Sequence, residues 1–238
     1  MPEPIDRDLG LPLVLRADER YTTRREGIEA RHCFSHGDHY DAANTSFGPL
    51  VAVNDERLAP GAGYEPHRHS DVEVVTWVLG GVLEHEDSTG HVGIIAPGEL
   101  QHLSAGAGVT HAERNASAVE PLRFIQMVLR PSRDALGAAP QPPAYHQHVL
   151  LGARGLLLHA LAVRPGVSLY VALLDTGDAA ALPADDPLHV HVTRGRVSLS
   201  GVGILAAGDT VRMGATPGVH ITGEAPSEVL VWRLRLTA

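Results

Sequence analysis

Apolar residues in this chain fall in short runs, and within most of them apolar and polar positions alternate, as in a strand with one buried face. Over the first half the runs predict strands at roughly 49–58, 71–79, 81–86, 91–95, 101–105, 109–115 and 122–130. Turn signals separate them: "EDSTGH" makes a hairpin tip and "APGE" a sharp corner. Many short strands with glycine corners imply an all-β sandwich or barrel, and closure into a barrel removes exposed edges.

The pattern occurs twice. "WVLGGVLEHEDSTGHVGIIAPGE" and "VTRGRVSLSGVGILAAGDT" each read as a strand ending in glycine, a hairpin, a further strand and a Gly-acid turn. The interval from Gly195 to Gly208 is shorter than that from Gly80 to Gly98, a difference the size of a hairpin tip, where length changes are cheapest. Between the halves, "PSRDALGAAPQPPAYHQH" has four prolines and little to bury. The expected organisation is a β domain over 1–130, a linker over 131–148 and a second β domain over 149–238.

Composition narrows the function classes. Aromatics make up 4 % of the 238 residues while glycine (25) and proline (17) are plentiful, as many tight turns require. A formal charge of −9 leaves no basic stripe for a phosphate backbone, so nucleic acid is not an expected direct ligand. The apolar segments "EVVTWVLGGVL" and "GLLLHALAV" stop well short of the ~20 residues a bilayer crossing needs. The opening "MPEPIDRDLG" lacks the basic end and apolar stretch of a secretory signal. With the single cysteine, Cys33, which permits no internal disulfide, these features make the cytoplasm the expected location.

The outlier is histidine, with 15 residues. In "GAGYEPHRHSDVEVVTWVLGG", His67 and His69 are two apart and share a strand face. Continuing the parity brings Asp71, Glu73, Val75, Trp77 and Leu79 to that face and makes Glu73 a ligand or a base beside the ligands. In "AGAGVTHAERN" His111 and Glu113 repeat the spacing after Gly106 and Gly108. If the two strands face each other, three imidazoles and a carboxylate meet. Single histidines elsewhere, His85 and His91 among them, read as ordinary partly buried residues, and Glu84, Glu86 and Asp87 as a solvated hairpin tip. No Ser, His and acid order suggests a hydrolytic triad.

The spacings G-x5-H-x-H-x3-E-x6-G (Gly61, His67, His69, Glu73, Gly80) and G-x2-H-x3-N (Gly108, His111, Asn115) resemble the two motifs of the cupin superfamily. With "HYDAANTSFG", "EHEDSTGHVG" and "PGELQHLSAGAGVTHAE", the chain further resembles the pirin family over nearly its whole length. The resemblance implies two cupin barrels in one chain, with metal only in the first. It places the ligands on His67, His69, His111 and Glu113, while Glu73 occupies the carboxylate position of many other cupins. Two departures bear on the pocket mouth: Arg68 stands where pirins usually have proline, and His102 where several carry tryptophan.

In the second half, "LHVH" offers another H-x-H, but aligning Gly195 with Gly80 sets His189 and His191 opposite Val74 and Thr76, and only His220 falls near the place of His111. One imidazole does not hold a metal, so that barrel is expected to be empty.

Three imidazoles and a carboxylate suit one divalent transition metal; iron(II) is the expected ion, with nickel, manganese, cobalt, copper and zinc as the other candidates. The resemblance implies a quercetin 2,3-dioxygenase activity, with a flavonol-like molecule and dioxygen as substrates and Glu113 or Glu73 taking the substrate's proton. It equally admits a non-catalytic metalloprotein whose metal alters a surface read by a protein partner.

Overall fold

The structure, a computed structural model, describes residues 10–131, 141–150, 152 and 154–235. Every regular element in them is a strand, and the strands form four antiparallel sheets in two compact units. Both units have the two-sheet cupin architecture, so the chain is an all-β double cupin. Among the described residues no helix is long and apolar enough to cross a membrane.

The first unit, Tyr21–Leu150, opens with β2 (Tyr21–Arg25), β3 (Ile28–His32), β4 (Leu50–Leu58), β5 (Gly63–His69) and β6 (Glu73–Gly80). It continues through β7 (Leu83–Asp87), β8 (Val92–Ile95), β9 (Glu99–Ser104), β10 (Val109–Asn115), β11 (Leu122–Leu129) and β12 (Ala144–Val149). Its larger sheet has the order β12-β9-β6-β11-β4-β3-β2 and its smaller one β5-β10-β7-β8. Its apolar packing includes one cluster of Leu58, Val78, Leu83, Ile95, Leu122 and Phe124 and another of Val74, Leu103, Ala105 and Val109.

The other unit takes Met1–Arg20 with Leu151–Ala238. It comprises β1 (Leu13–Leu15), β13 (Leu156–Arg164), β14 (Val167–Leu174), β15 (Ala179–Ala181), β16 (Leu188–Arg194), β17 (Arg196–Leu199), β18 (Gly203–Ala206), β19 (Thr210–Met213), β20 (His220–Gly223) and β21 (Ser227–Leu234). Its sheets run β1-β19-β16-β21-β14-β13 and β15-β20-β17-β18, with an apolar cluster that includes Leu174, Val190, Val211 and Val231.

The internal repeat extends to atomic detail at the Gly-acid turns. In "APGE" the Glu99 amide donates to the Ala96 carbonyl at 3.0 Å and its carboxylate accepts the Ala96 N–H at 2.9 Å. In "AAGD" Asp209 does both to Ala206, each at 3.0 Å. Gly98 and Gly208 sit at φ 85° and 93°, where a Cβ would be strained.

Two expected boundaries move. Leu13–Leu15, expected in the first domain, pairs with Thr210–Arg212 in the other unit. The edge of β19 needs backbone partners, and Asp209 secures the incoming strand by accepting from the Ala17 N–H at 2.9 Å and from Arg16 Nη1 at 2.8 Å. The expected linker is also shorter: past Pro143 the donors return, and Ala144–Val149 pairs along β9. Residues 132–140 of that linker lie outside the described residues.

Candidate metal centre

The histidine pair His67 and His69 lies on β5, and β10 runs antiparallel beside it with His111 directly opposite His67. The three imidazoles form a compact triangle with ring centroids 4.4 Å (His67 to His111), 5.0 Å (His69 to His111) and 5.0 Å (His67 to His69) apart. One nitrogen from each lies within 4.8 Å of the others. His111 is buried, whereas His67 and His69 are half-buried, so the cluster has a closed and an open side.

Its chemistry suits a cation. His67 donates from Nδ1 to the Glu65 carbonyl at 2.9 Å, which leaves Nε2 as a lone pair. The Nε2 atoms of His69 and His111 are buried without a hydrogen-bond partner. A buried polar atom in that state costs about 1–3 kcal/mol, which a bound cation would offset. Burial, then the neighbouring imidazoles, holds His111 down at about 3, and burial with His67 lowers His69, so both imidazoles are neutral at physiological pH, the form that a metal requires.

Glu113 is fully buried two residues on, close to His111. Its two oxygens accept the side-chain amides of Gln101 at 3.1 Å and Gln126 at 2.6 Å, from β9 and β11 of the facing sheet. Burial raises its pKa, and the two amides work against that rise. A bulge on β5 sets this geometry, because Glu113 pairs with Tyr64 while His111 pairs with His67. The strands approach so closely there that a Cβ on Gly63 would lie 2.5 Å from the Glu113 carbonyl.

Glu73 is not brought to this cluster. It begins β6 in the larger sheet, where its carboxylate binds His102 Nε2 at 2.7 Å and Ser104 Oγ at 3.1 Å. Gln101 reaches inward to Glu113, so His102, its strand neighbour, faces the other way and Glu73 with it. The parity drawn from His69 to Glu73 fails because the chain changes sheets between them, at a turn where Asp71 has φ 53°. Val75, Trp77 and Leu79 are buried on Glu73's face, and Val74 with Leu103 and Val109 supplies the apolar packing of the inward face.

Arg68 is turned from the histidines. Its guanidinium donates to the Ala107 carbonyl at 2.9 Å and lies across Gly108, at φ 135°, where a Cβ would collide with it. Both departures from the pirin pattern thus serve local structure here.

Residues absent from the sequence-derived site are Gln101, Gln126, His85 and Asp87. His85 and Asp87 obey the same two-residue rule as His67 and His69, but His85 reads as an ordinary partly buried histidine, and the charged neighbours Glu84 and Glu86 disguise Asp87 as part of a solvated tip. Asp87 is instead buried and binds the turn that follows it. A second donor group within 4.8 Å joins His85, His111 and Glu113. Among the described residues both donor groups lie in the first unit, while His189 and His191 are buried on β16 and His220 is exposed on β20.

A cavity of about 60 Å³ is lined in part by His32, His36, Glu56 and Tyr64, the last with its ring centroid 6.3 Å from that of His67. Burial pushes the Glu56 carboxyl up to about 7, against the pull of the Tyr64 hydroxyl that donates to it at 2.7 Å. A folded-state value above the ordinary 4.5 means the native state binds more protons between those two values, so stability falls as pH rises through that window. Glu56→Gln is therefore expected to be more stable to urea than the parent at about pH 8, by roughly 3 kcal/mol, and to unfold at the same urea concentration as the parent at about pH 4. A constant difference at both pH values would refute the assignment.

The sequence model of the family described as Pirin matches residues 15–129. A Mycobacterium bovis protein described as "Putative quercetin 2,3-dioxygenase" is 40% identical over 232 residues, covering 93% of this chain and 94% of the relative. Quercetin 2,3-dioxygenase of Escherichia coli K12 is 29% identical over 229 residues, or 92% of this chain and 96% of that one. The solved structure of the Escherichia coli bacterial pirin YhhW in complex with nickel(II) superposes with a TM-score of 0.86 at 27% identity, covering 95% of this chain and all of that one (100%).

Proposed function

The chain belongs to the pirin family, and from that premise we propose that it is a metal-dependent dioxygenase that opens a flavonol such as quercetin with dioxygen and releases carbon monoxide. The observation that carries this reading is the convergence of His67, His69 and His111, with Glu113 close to His111 and the buried Nε2 atoms of His69 and His111 without a hydrogen-bond partner. His67, His69 and His111 would hold the ion, with Glu113 as the adjacent carboxylate. A divalent transition metal, iron(II) or nickel(II), supplies a Lewis acid there that lowers the pKa of a coordinated hydroxyl.

The chain's own groups do the rest. The half-buried edges of His67 and His69 leave the open side for a flat substrate, and the packing of Val74, Leu103 and Val109 keeps water from the closed side. Glu113, whose proton affinity is raised by burial, accepts the substrate's 3-hydroxyl proton at a carboxylate oxygen. Gln101 and Gln126 hold that carboxylate in place through the transfer.

Anaerobic addition of quercetin to metal-loaded protein should shift the flavonol absorbance, and air should then bleach it with release of equimolar carbon monoxide. Flavonol absorbance left unchanged in air by a metal-replete preparation would sink the proposal. A shift without bleaching would favour a binding protein over an oxidant.

A further inference from the structure

Behind the candidate ligand His111 lies a chain of groups outside the triangle of His67, His69 and His111. His85 has no solvent exposure and stands with Nδ1 3.4 Å from Nδ1 of His111 and Nε2 3.2 Å from Oδ2 of Asp87. The other oxygen of Asp87, Oδ1, accepts from the Thr89 N–H at 2.8 Å, the Thr89 hydroxyl at 2.6 Å and the His91 N–H at 3.3 Å. Three donors on one oxygen mark an ionised carboxylate, which leaves Oδ2 as an acceptor for His85.

The protons are then ordered along the chain. Nε2 of His85 carries the hydrogen given to Asp87, so its Nδ1 is a lone pair. Facing that lone pair, Nδ1 of His111 carries hydrogen, because two lone pairs would repel. His111 is left with its lone pair on Nε2, the atom buried without a hydrogen-bond partner. His85 approaches His111 at Nδ1 and so sits behind the ring, on the side away from Nε2. The ring of His85 is itself packed against Tyr145, with centroids 4.9 Å apart.

We infer that Asp87 and His85 are positioning residues that fix the tautomer and orientation of His111, so that Nε2 faces the metal. The inference rests on the reading of His67, His69 and His111 as ligands. It also distinguishes the ligands from one another: His67 is backed by a neutral backbone carbonyl, whereas His111 is backed through His85 by a full negative charge, which raises its basicity as a donor.

Asp87→Asn tests the proton order at almost unchanged shape. The three donors around Oδ1 demand the asparagine oxygen, so its NH2 turns toward His85 Nε2. His85 must then carry hydrogen on Nδ1, which forces His111 to hold its own on Nε2, where it blocks coordination. Proton–nitrogen correlation spectra of the histidine rings in metal-free protein are expected to show His111 protonated on Nδ1 in the parent and on Nε2 in the variant. Calorimetric titration with nickel(II) should give an affinity lower by about 10–100-fold in the variant, with circular dichroism unchanged.

His111 protonated on Nε2 in the parent, or nickel(II) bound equally by both proteins, overturns the inference. If the parent takes up no nickel(II), the metal reading itself falls, and the ring spectra still decide the tautomer question. Should Asp87→Asn not fold, the spectra of the parent alone suffice.

Discussion

His111→Ala is expected to remove metal binding and flavonol turnover together, with a loss of metal affinity well beyond the roughly 10–100-fold cost of altering a residue that merely supports a ligand. The reason is position. His111 is the buried corner of the imidazole triangle and lies within 5.0 Å, ring to ring, of both His67 and His69. Without it, two half-buried imidazoles on one strand remain on the open side, where water competes for every coordination position. The thermal consequence is equally specific. An ion present at about 1,000 times its dissociation constant stabilises the folded state by about 4 kcal/mol. At roughly 4 °C per kcal/mol for a unit of this size, chelation should lower the parent's melting temperature by about 15 °C. His111→Ala should melt at one temperature with or without chelator. Scanning calorimetry of both proteins, each with nickel(II) and with a chelator, measures this; a variant still stabilised by the metal would remove His111 from the ligand set.

How much of this site could be read in the sequence follows from which physical rules are local. His67 with His69, and His111 with Glu113, were legible because strand alternation needs only two residues of context. The strand pairing that sets His111 opposite His67 is also suggested by pattern, but the bulge that sets Glu113 opposite Tyr64 is not: it depends on a close backbone approach at Gly63. Glu73 was misplaced for a related reason. Alternation holds within a strand, and the turn at Asp71 transfers the chain to another sheet before Glu73 begins β6. Gln101 and Gln126 left no sequence signal, since an amide on a strand announces nothing until the facing sheet brings a carboxylate to it. The repeat was legible through its Gly-acid turns, where side chain and backbone bond within four residues. The pairing of Leu13–Leu15 with β19 was not, because it joins residues nearly 200 positions apart.

Two carboxylates were open candidates for the catalytic base, and their surroundings assign opposite outcomes to the same substitution. Glu113→Gln should lower kcat by about 10²–10⁴, the usual contribution of a positioned base. The replacement is a near isostere in shape but not in bonding: the carboxylate accepts an amide on each oxygen, whereas glutamine has one oxygen and must set its own NH2 against a donor from Gln101 or Gln126. Unfolding in urea should therefore show a loss of about 1–3 kcal/mol alongside the kinetic effect. Glu73→Gln, on the opposite face of the larger sheet, should leave kcat within about a factor of two while weakening its contacts to His102 and Ser104. Nickel(II) affinity in Glu113→Gln then separates the two roles of that residue. Retained affinity with lost turnover makes Glu113 a base beside the metal, and affinity lost in parallel with turnover makes it a ligand. A carboxylate facing away from the imidazoles cannot reach a substrate bound among them, so turnover lost in Glu73→Gln and kept in Glu113→Gln would reverse the assignment.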